Sequence, residues 1–299
     1  MNKRFRTAIF GFGKIAYGYG DDKKYIKEYP IPTHFEAIKK IQNLDLDTVI
    51  DADENALKNA NQAGVKNLFT DIRDVNDIDQ IEFLTLSCPP HINKLEVLKT
   101  FPSLKGLVLE KPVTDNICDA KEILEYVKKE NIKTQVCYLR RFDDFAVSLQ
   151  SGELNKLIGK PQMAQIVYGN GLRNNGSHML DLCMMLFGDF TKNIKSFNTN
   201  IDTCVLDNDL NITCLLKTKS GINISMTPID FKNYRENSLD IWGEKGRIVL
   251  NQEGSYFNHW KSTSSRFGDI YKEINWSEPS YSGKTQIGNA LEKLYLNLI

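Results

Sequence analysis

The sequence predicts a two-part α/β chain: a doubly wound parallel sheet of the Rossmann type, followed by an α+β part on a mainly antiparallel sheet. Three observations carry this. Over the first 140 residues, short apolar runs alternate with helical patterns, the signature of strands joined by crossover helices. A glycine turn, Gly11–Phe12–Gly13–Lys14–Ile15–Ala16, follows the first run directly. Beyond residue 140, strand patterns succeed one another across glycine and asparagine turns with few helices, as in antiparallel sheets. The boundary is therefore read near 140, giving domains over 1–140 and 141–299. The length of 299 residues suits two domains of roughly 100–200 residues each.

The elements follow in order. Thr7–Phe10 is a buried strand ending in glycines, and Leu46–Ile50 a second, ending at Asp51. Ile81–Ser87 is a third, ending at Cys88–Pro89–Pro90; Leu107–Leu109 is a fourth, ending at Glu110–Lys111–Pro112; Thr134–Leu139 is a fifth. Between them the clearest helix is Asp119–Lys129, where Ala120, Ile123, Leu124 and Val127 form one apolar stripe and Asn116 or Asp119 can cap the start. Tyr17–Thr33 is a polar, Tyr-rich insertion, read as a surface loop that could instead cover a ligand. In the second part, Ala164–Tyr168, Asn211–Lys217, Asn223–Thr227, Ser238–Trp242 and Arg247–Leu250 read as strands, Ser177–Phe187 as a helix, and Asn289–Ile299 as a closing amphipathic helix.

Composition excludes several classes. Lysine plus arginine equals aspartate plus glutamate, 38 each, so no net field draws in nucleic acid or an anionic membrane. The six cysteines show no C-x-x-C pair and no Cys/His zinc spacing, which predicts free thiols in a reducing compartment and no metal. No apolar stretch approaches the ~18 residues of a membrane span, and the basic start is broken by Gly11 and Gly13 before a signal-peptide core can form. The expected location is cytoplasmic.

The glycine turn fits G-x-G-x-x-G/A. Gly11 permits the tight turn, Gly13 lets the backbone approach a pyrophosphate, and Ala16 allows close helix–strand packing. The phosphates then sit on unpaired N–H groups with Lys14 and Ile15 at the turn's exit. Asp51, ending the second strand, is the expected partner of the adenosine ribose hydroxyls; it lies 40 residues after Gly11 because of the insertion, and Asp53 is a nearby competitor. A carboxylate there repels a 2′-phosphate, which favours NAD over NADP.

At Glu110–Lys111–Pro112 a wider pattern emerges. With the glycine turn and the Pro-containing end of the third strand, it resembles the glucose–fructose oxidoreductase/inositol dehydrogenase (Gfo/Idh/MocA) family. Thr33–Ala37 resembles that family's His-x-x-Ala, Arg140–Arg141–Phe142 its Arg-Phe, Gly176–Asp181 with Leu186–Gly188 its Gly-x-His-x-x-Asp…Leu-x-Gly, and Gly243–Arg247 its Gly-x-x-Gly turn. The resemblance implies an oxidoreductase acting on the CH–OH of a sugar, cyclitol or nucleotide-linked sugar, including a role in surface-polysaccharide sugar synthesis. It implies that Gly11, Phe12, Gly13, Lys14, Ile15, Asp51, Ser87, Cys88, Pro89, His91, Glu110 and Lys111 surround NAD. Lys111 would hold the substrate hydroxyl and stabilise alkoxide charge, and His178 would take its proton. Arg173, Asn174, Asn175, His178, Tyr234 and Arg235 would face the substrate.

Three departures accompany the resemblance. Asn174 stands where family dehydrogenases commonly carry Asp, and it cannot take a proton; Asn93 stands where the family often has His; and family members usually run one helix further. Asp181 is expected to anchor its helix rather than react. The alternatives are a glycosidase-type member that recycles NAD without net redox change and a non-catalytic dinucleotide-binding protein. A homodimer or homotetramer is implied by analogy.

Overall fold

The computed structural model describes residues 3–274 and 278–299, the side chain of Asp269 excepted. Residues 1–139 and 288–299 cluster as one compact unit and 140–287 as another.

The first unit is a six-stranded parallel sheet of β1 (Phe5–Phe10), β2 (Leu44–Ile50), β3 (Asn67–Phe69), β4 (Phe83–Leu86), β5 (Gly106–Leu109) and β6 (Lys133–Val136), in the order β3-β2-β1-β4-β5-β6. Strand β4 is buried at every position and β5 likewise, the pattern of strands covered on both faces. Sequence reading found five of the six. It missed β3, whose three half-buried residues at the sheet edge are too few to show a period. The order reverses between β1 and β4, and in such sheets ligands bind outside the carboxyl ends of the strands at that point. The helix expected from Asp119 begins at Ile117, and Asn116 caps it by accepting the Asp119 N–H at 2.9 Å.

The insertion is structured rather than a plain loop. It holds a 3₁₀ turn, Gly18–Asp21, and a short helix, Tyr25–Glu28. The rings of Tyr19 and Tyr25 lie tilted to each other at 5.0 Å, and those of Tyr25 and Tyr29 stack at 4.6 Å. The insertion's two ends are tied together: the N–H groups of His34 and Phe35 donate to the carbonyls of Ile15 and Ala16, at 3.3 and 3.0 Å. The turn after Gly13 is thus bonded to the start of the helix His34–Lys40, which Thr33 caps by accepting the Glu36 N–H.

The last residues correct the boundary read from sequence. Gly288–Ile299 groups with the first unit, because the helix Ala290–Leu296 buries Ala290, Leu291, Leu294 and Tyr295 on one stripe, and that stripe needs an apolar partner.

The second unit contains β7 (Pro161–Tyr168), β8 (Lys195–Asn198), β9 (Ile212–Lys217), β10 (Asn223–Pro228), β11 (Ser238–Gly243), β12 (Gly246–Asn251), β13 (Tyr256–Ser265), β14 (Gly268–Ile274) and β15 (Tyr281–Lys284). The order is β14-β13-β12-β11-β7-β10-β9-β8, with β15 also on β13. The β7–β10 pair is parallel and the other pairs are antiparallel. Alternate residues of β7, Ala164, Ile166 and Tyr168, point into a core shared with Met179, Leu182 and Cys183 of the helix Ser177–Phe187. That helix ends at Gly188, in the left-handed region at φ +82°. Sequence reading missed β8, exposed at every position, and β13 to β15, which are rich in Ser, Thr, Lys and Glu and carry little apolar alternation.

Candidate functional site

In the first unit the glycine turn lies at the switch point. Gly11 has φ +91°, and a Cβ there would stand 2.8 Å from the Ser87 carbonyl oxygen and 3.0 Å from the Cys88 nitrogen. The ends of β1 and β4 therefore pack backbone against backbone, and the Ser87 hydroxyl also ties them by donating to the Gly11 carbonyl at 2.6 Å. At Gly13, by contrast, a Cβ would meet nothing within 4 Å. This exposed space above the turn is where a pyrophosphate fits. Phe12 points into the core, Lys14 is exposed and Ile15 half-buried.

Asp51 ends β2 beside the turn. Its Oδ2 accepts the Phe12 N–H at 2.5 Å and its Oδ1 the Asp53 N–H at 2.9 Å. Each carboxylate oxygen has a second lone-pair direction, so the group is held in place and can still receive ribose hydroxyls. The competitor Asp53 is occupied otherwise: it caps the helix Glu54–Gln62 by accepting the Asn55 N–H at 2.9 Å. These donors and spaces fit a dinucleotide.

Beyond β4, Cys88 is buried, and burial raises its thiol pKa. Pro89 and His91 are exposed. Lys94 is buried beneath them and donates to the Pro89 carbonyl at 2.9 Å, which holds this turn from below. Glu110 and Lys111 follow β5, both half-buried. Glu110 Oε2 accepts the Lys111 backbone N–H at 3.1 Å and Oε1 lies 3.1 Å from His34 Nε2. The Lys111–Pro112 peptide is cis.

In the second unit, Arg173, Asn174 and Asn175 lie in a wide helical turn, Leu172–Gly176, that runs straight into the helix carrying His178. Such turns recur at functional sites. His178 is half-buried in the first turn of its helix. Asp181 receives Arg141 Nε with both oxygens, at 2.9 and 2.8 Å, joining two segments of the family-like pattern. Burial raises the Asp181 pKa and Arg141 opposes that rise. Asp181 thus serves as an anchor. Tyr234 is 68% exposed and Arg235 pairs with Glu253.

Sequence reading missed Asp209. Its buried carboxylate accepts the N–H groups of Arg173, Asn174 and Leu210, each at 2.9 Å, and so supports the turn that carries the three substrate candidates Arg173, Asn174 and Asn175. Gly171 makes room for it, since a Cβ there would lie 2.0 Å from Asp209 Oδ2. No local motif marks this role, because Asp209 is 35 and 36 residues from the N–H groups of Asn174 and Arg173. Asp209→Ala is expected to cost about 2–4 kcal/mol in a urea melt, since it leaves buried N–H groups without acceptors. A loss under about 0.5 kcal/mol would show that the turn holds itself.

Residues 5–138 match the family model GFO_IDH_MocA, described as an oxidoreductase family with an NAD-binding Rossmann fold. The myo-inositol 2-dehydrogenase of Thermotoga maritima is 21% identical over 265 residues, 81% of this chain and 74% of that protein. The chain spans about half the length of other curated relatives it matches, 45% and 52% in two uncharacterised oxidoreductases. Among solved structures, the WlbA dehydrogenase of Chromobacterium violaceum, in complex with NADH and UDP-GlcNAcA, has a TM-score of 0.70 at 18% identity, covering 89% of this chain and 79% of that one. A super-repressor mutant of Gal80p from Saccharomyces cerevisiae has a TM-score of 0.72 at 13% identity, covering 98% and 84%. At these identities the structures establish the shared fold. Over residues 5–138 the chain matches the Gfo/Idh/MocA oxidoreductase family model, and its first unit carries the NAD-binding Rossmann fold which that model describes.

Proposed function

We propose that the chain moves a hydride between NAD and the carbinol carbon of a sugar, cyclitol or nucleotide-linked sugar. The observation that carries this is the switch-point arrangement: Gly11 packed on Ser87, open space at Gly13, and the Asp51 carboxylate fixed beside the turn, in a segment matching an NAD-binding oxidoreductase family. Bound NAD would supply the hydride acceptor. Lys111, its backbone held by Glu110, would stabilise the developing alkoxide, and His178 would accept the hydroxyl proton. Arg173, Asn174, Asn175 and Tyr234 would contact the substrate's other oxygens. The nucleotide-sugar choice is supported by the fold shared with a dehydrogenase solved with UDP-GlcNAcA, and a place in surface-polysaccharide sugar synthesis goes with it. We place the protein in the cytoplasm and as a homodimer or homotetramer; among the described residues no helix is long and apolar enough to cross a membrane.

A second reading, a dinucleotide-binding regulator without turnover, is favoured by Asn174 at the position of the family's acid and by the fold shared with a repressor. One experiment separates them. The purified chain is incubated with NAD and a panel of sugars and nucleotide sugars while reduced-cofactor absorbance is followed. Stoichiometric absorbance change is expected. Product release without net cofactor change would mark the glycosidase-type chemistry, and cofactor binding with no reaction would mark the regulator. In the same assay, Asp51→Ala is expected to weaken NAD about tenfold, as for a lost hydrogen bond to a charged group. An unchanged preference for NAD over NADP would remove the ribose role.

A further inference from the structure

Inside the first unit, four polar side chains meet that the proposed chemistry leaves unused. His34, at the start of its helix, is 0% exposed. Its Nδ1 lies 2.7 Å from the Tyr295 hydroxyl, and that hydroxyl lies 2.7 Å from Thr85 Oγ1 in the middle of β4. Its Nε2 lies 3.1 Å from Glu110 Oε1, and Cys137 Sγ lies 4.0 Å from the same nitrogen. Glu110's other oxygen receives the Lys111 N–H.

Donor counting sets the direction of these bonds. A carboxylate has no proton to give, so Glu110 Oε1 accepts from His34 Nε2–H. A neutral ring then leaves Nδ1 as an acceptor, filled by the Tyr295 O–H, and the Thr85 O–H donates to the Tyr295 oxygen. The chain of bonds runs one way, from Thr85 through Tyr295 and His34 to Glu110. Burial raises the pKa of the Tyr295 phenol and the Cys137 thiol well above the ordinary range. Tyr295 therefore keeps the proton it donates, and Cys137 adds no charge beside Glu110. His34, Glu110 and Cys137 could in principle close on a metal, with one ligand atom each within 4.8 Å of the others. However, in the Nε2–H tautomer the nitrogen facing the other two carries the proton, and burial favours the protonated thiol. Hydrogen bonding is the better description.

We propose that His34 is a positioning residue: its Nε2–H tautomer, set by Tyr295, holds the Glu110 carboxylate against the Lys111 N–H and so shapes the Glu110–Lys111–Pro112 turn that meets the nicotinamide. This rests on the NAD-dependent reading above. It makes the helix Ala290–Leu296, through Tyr295, part of the cofactor site's support.

Two variants separate hydrogen bonding from space filling. His34→Gln keeps an N–H for Glu110, whereas His34→Leu keeps the bulk without a donor. NADH, titrated by its fluorescence, is expected to bind H34L about tenfold or more weakly than the wild type and H34Q within about threefold, the range for a hydrogen bond to a charged group. ¹⁵N NMR of the cofactor-free wild type is expected to show a neutral His34 ring protonated at Nε2. An Nδ1-protonated or doubly protonated ring at neutral pH, zinc binding that shifts this ring, unchanged NADH affinity in H34L, or equal losses in H34L and H34Q would each overturn the proposal. The tautomer is read on the wild type, so a variant that fails to fold leaves that arm decisive. A wild type that binds NADH but converts no sugar defeats the substrate reading alone and leaves the comparison of variants intact. A wild type that binds no NADH defeats both.

Discussion

Lys111→Met should lower kcat/KM for sugar oxidation by about 10³-fold, the scale for removing one group that stabilises developing oxyanion charge, while NADH affinity and melting temperature stay near those of the wild type. The reasoning is local. Lys111 emerges from the carboxyl end of β5, the end of a parallel sheet where ligands bind. Its backbone is held by Glu110, so replacing the side chain with an unbranched apolar one of similar length removes the charge and leaves the turn's hydrogen bond. A loss in kcat and kcat/KM together would mark an interaction made in the transition state, whereas a rise in KM alone would make Lys111 a simple binding residue. Full activity in the variant would remove Lys111 from the chemistry.

The second large effect concerns the glycine turn, where two neighbouring glycines should fail in different ways. Gly11→Ala is expected to destabilise the fold by about 2–5 kcal/mol. An L residue in the left-handed region costs roughly 1–2 kcal/mol, and the Cβ at 2.8 Å from the Ser87 carbonyl oxygen adds an overpacking cost of roughly 1–3 kcal/mol. Both obstacles are backbone, so no side chain can rotate away. Gly13→Ala should leave stability nearly unchanged, since its Cβ meets nothing within 4 Å, yet it should weaken NADH by about a hundredfold or more, because it fills the space a pyrophosphate needs. Urea melts and NADH titrations on the two variants test this crossing pattern. A Gly13→Ala chain that binds NADH normally would move the cofactor away from this turn.

Much of this was legible in the chain itself, for reasons that are local. Period and length mark β1, β2, β4, β5 and β6, since each is a short, largely apolar or β-branched run bounded by turn signals. The glycine turn and Glu110–Lys111–Pro112 are contiguous, so their chemistry can be read without a structure. The 40-residue gap from Gly11 to Asp51 was also readable as an insertion. That the insertion's ends are tied, with His34 and Phe35 bonding back to Ile15 and Ala16, was not, because the pairing joins residues 19 apart. Strands β14 and β15 escaped notice because their described side chains are largely exposed, and β13 because it alternates only at Phe257 and His259 before a Ser- and Thr-rich second half.

By itself, the sequence determined the parallel α/β character of the first part and the mainly antiparallel character of the second, and it offered the glycine turn, Asp51 and the other candidate residues on which the proposal rests. Only the tertiary structure decided what holds those residues. Asp209 reaches Arg173 and Asn174 from more than thirty residues away, and Tyr295 reaches His34 across 261 residues. The closing helix joins the first unit because its buried stripe packs there. The physical reason is common to Asp209 and Tyr295. A motif records contacts between neighbours in the chain, whereas a buried polar group must be satisfied by whichever donor or acceptor the fold brings to it, and that partner leaves no trace in the local pattern.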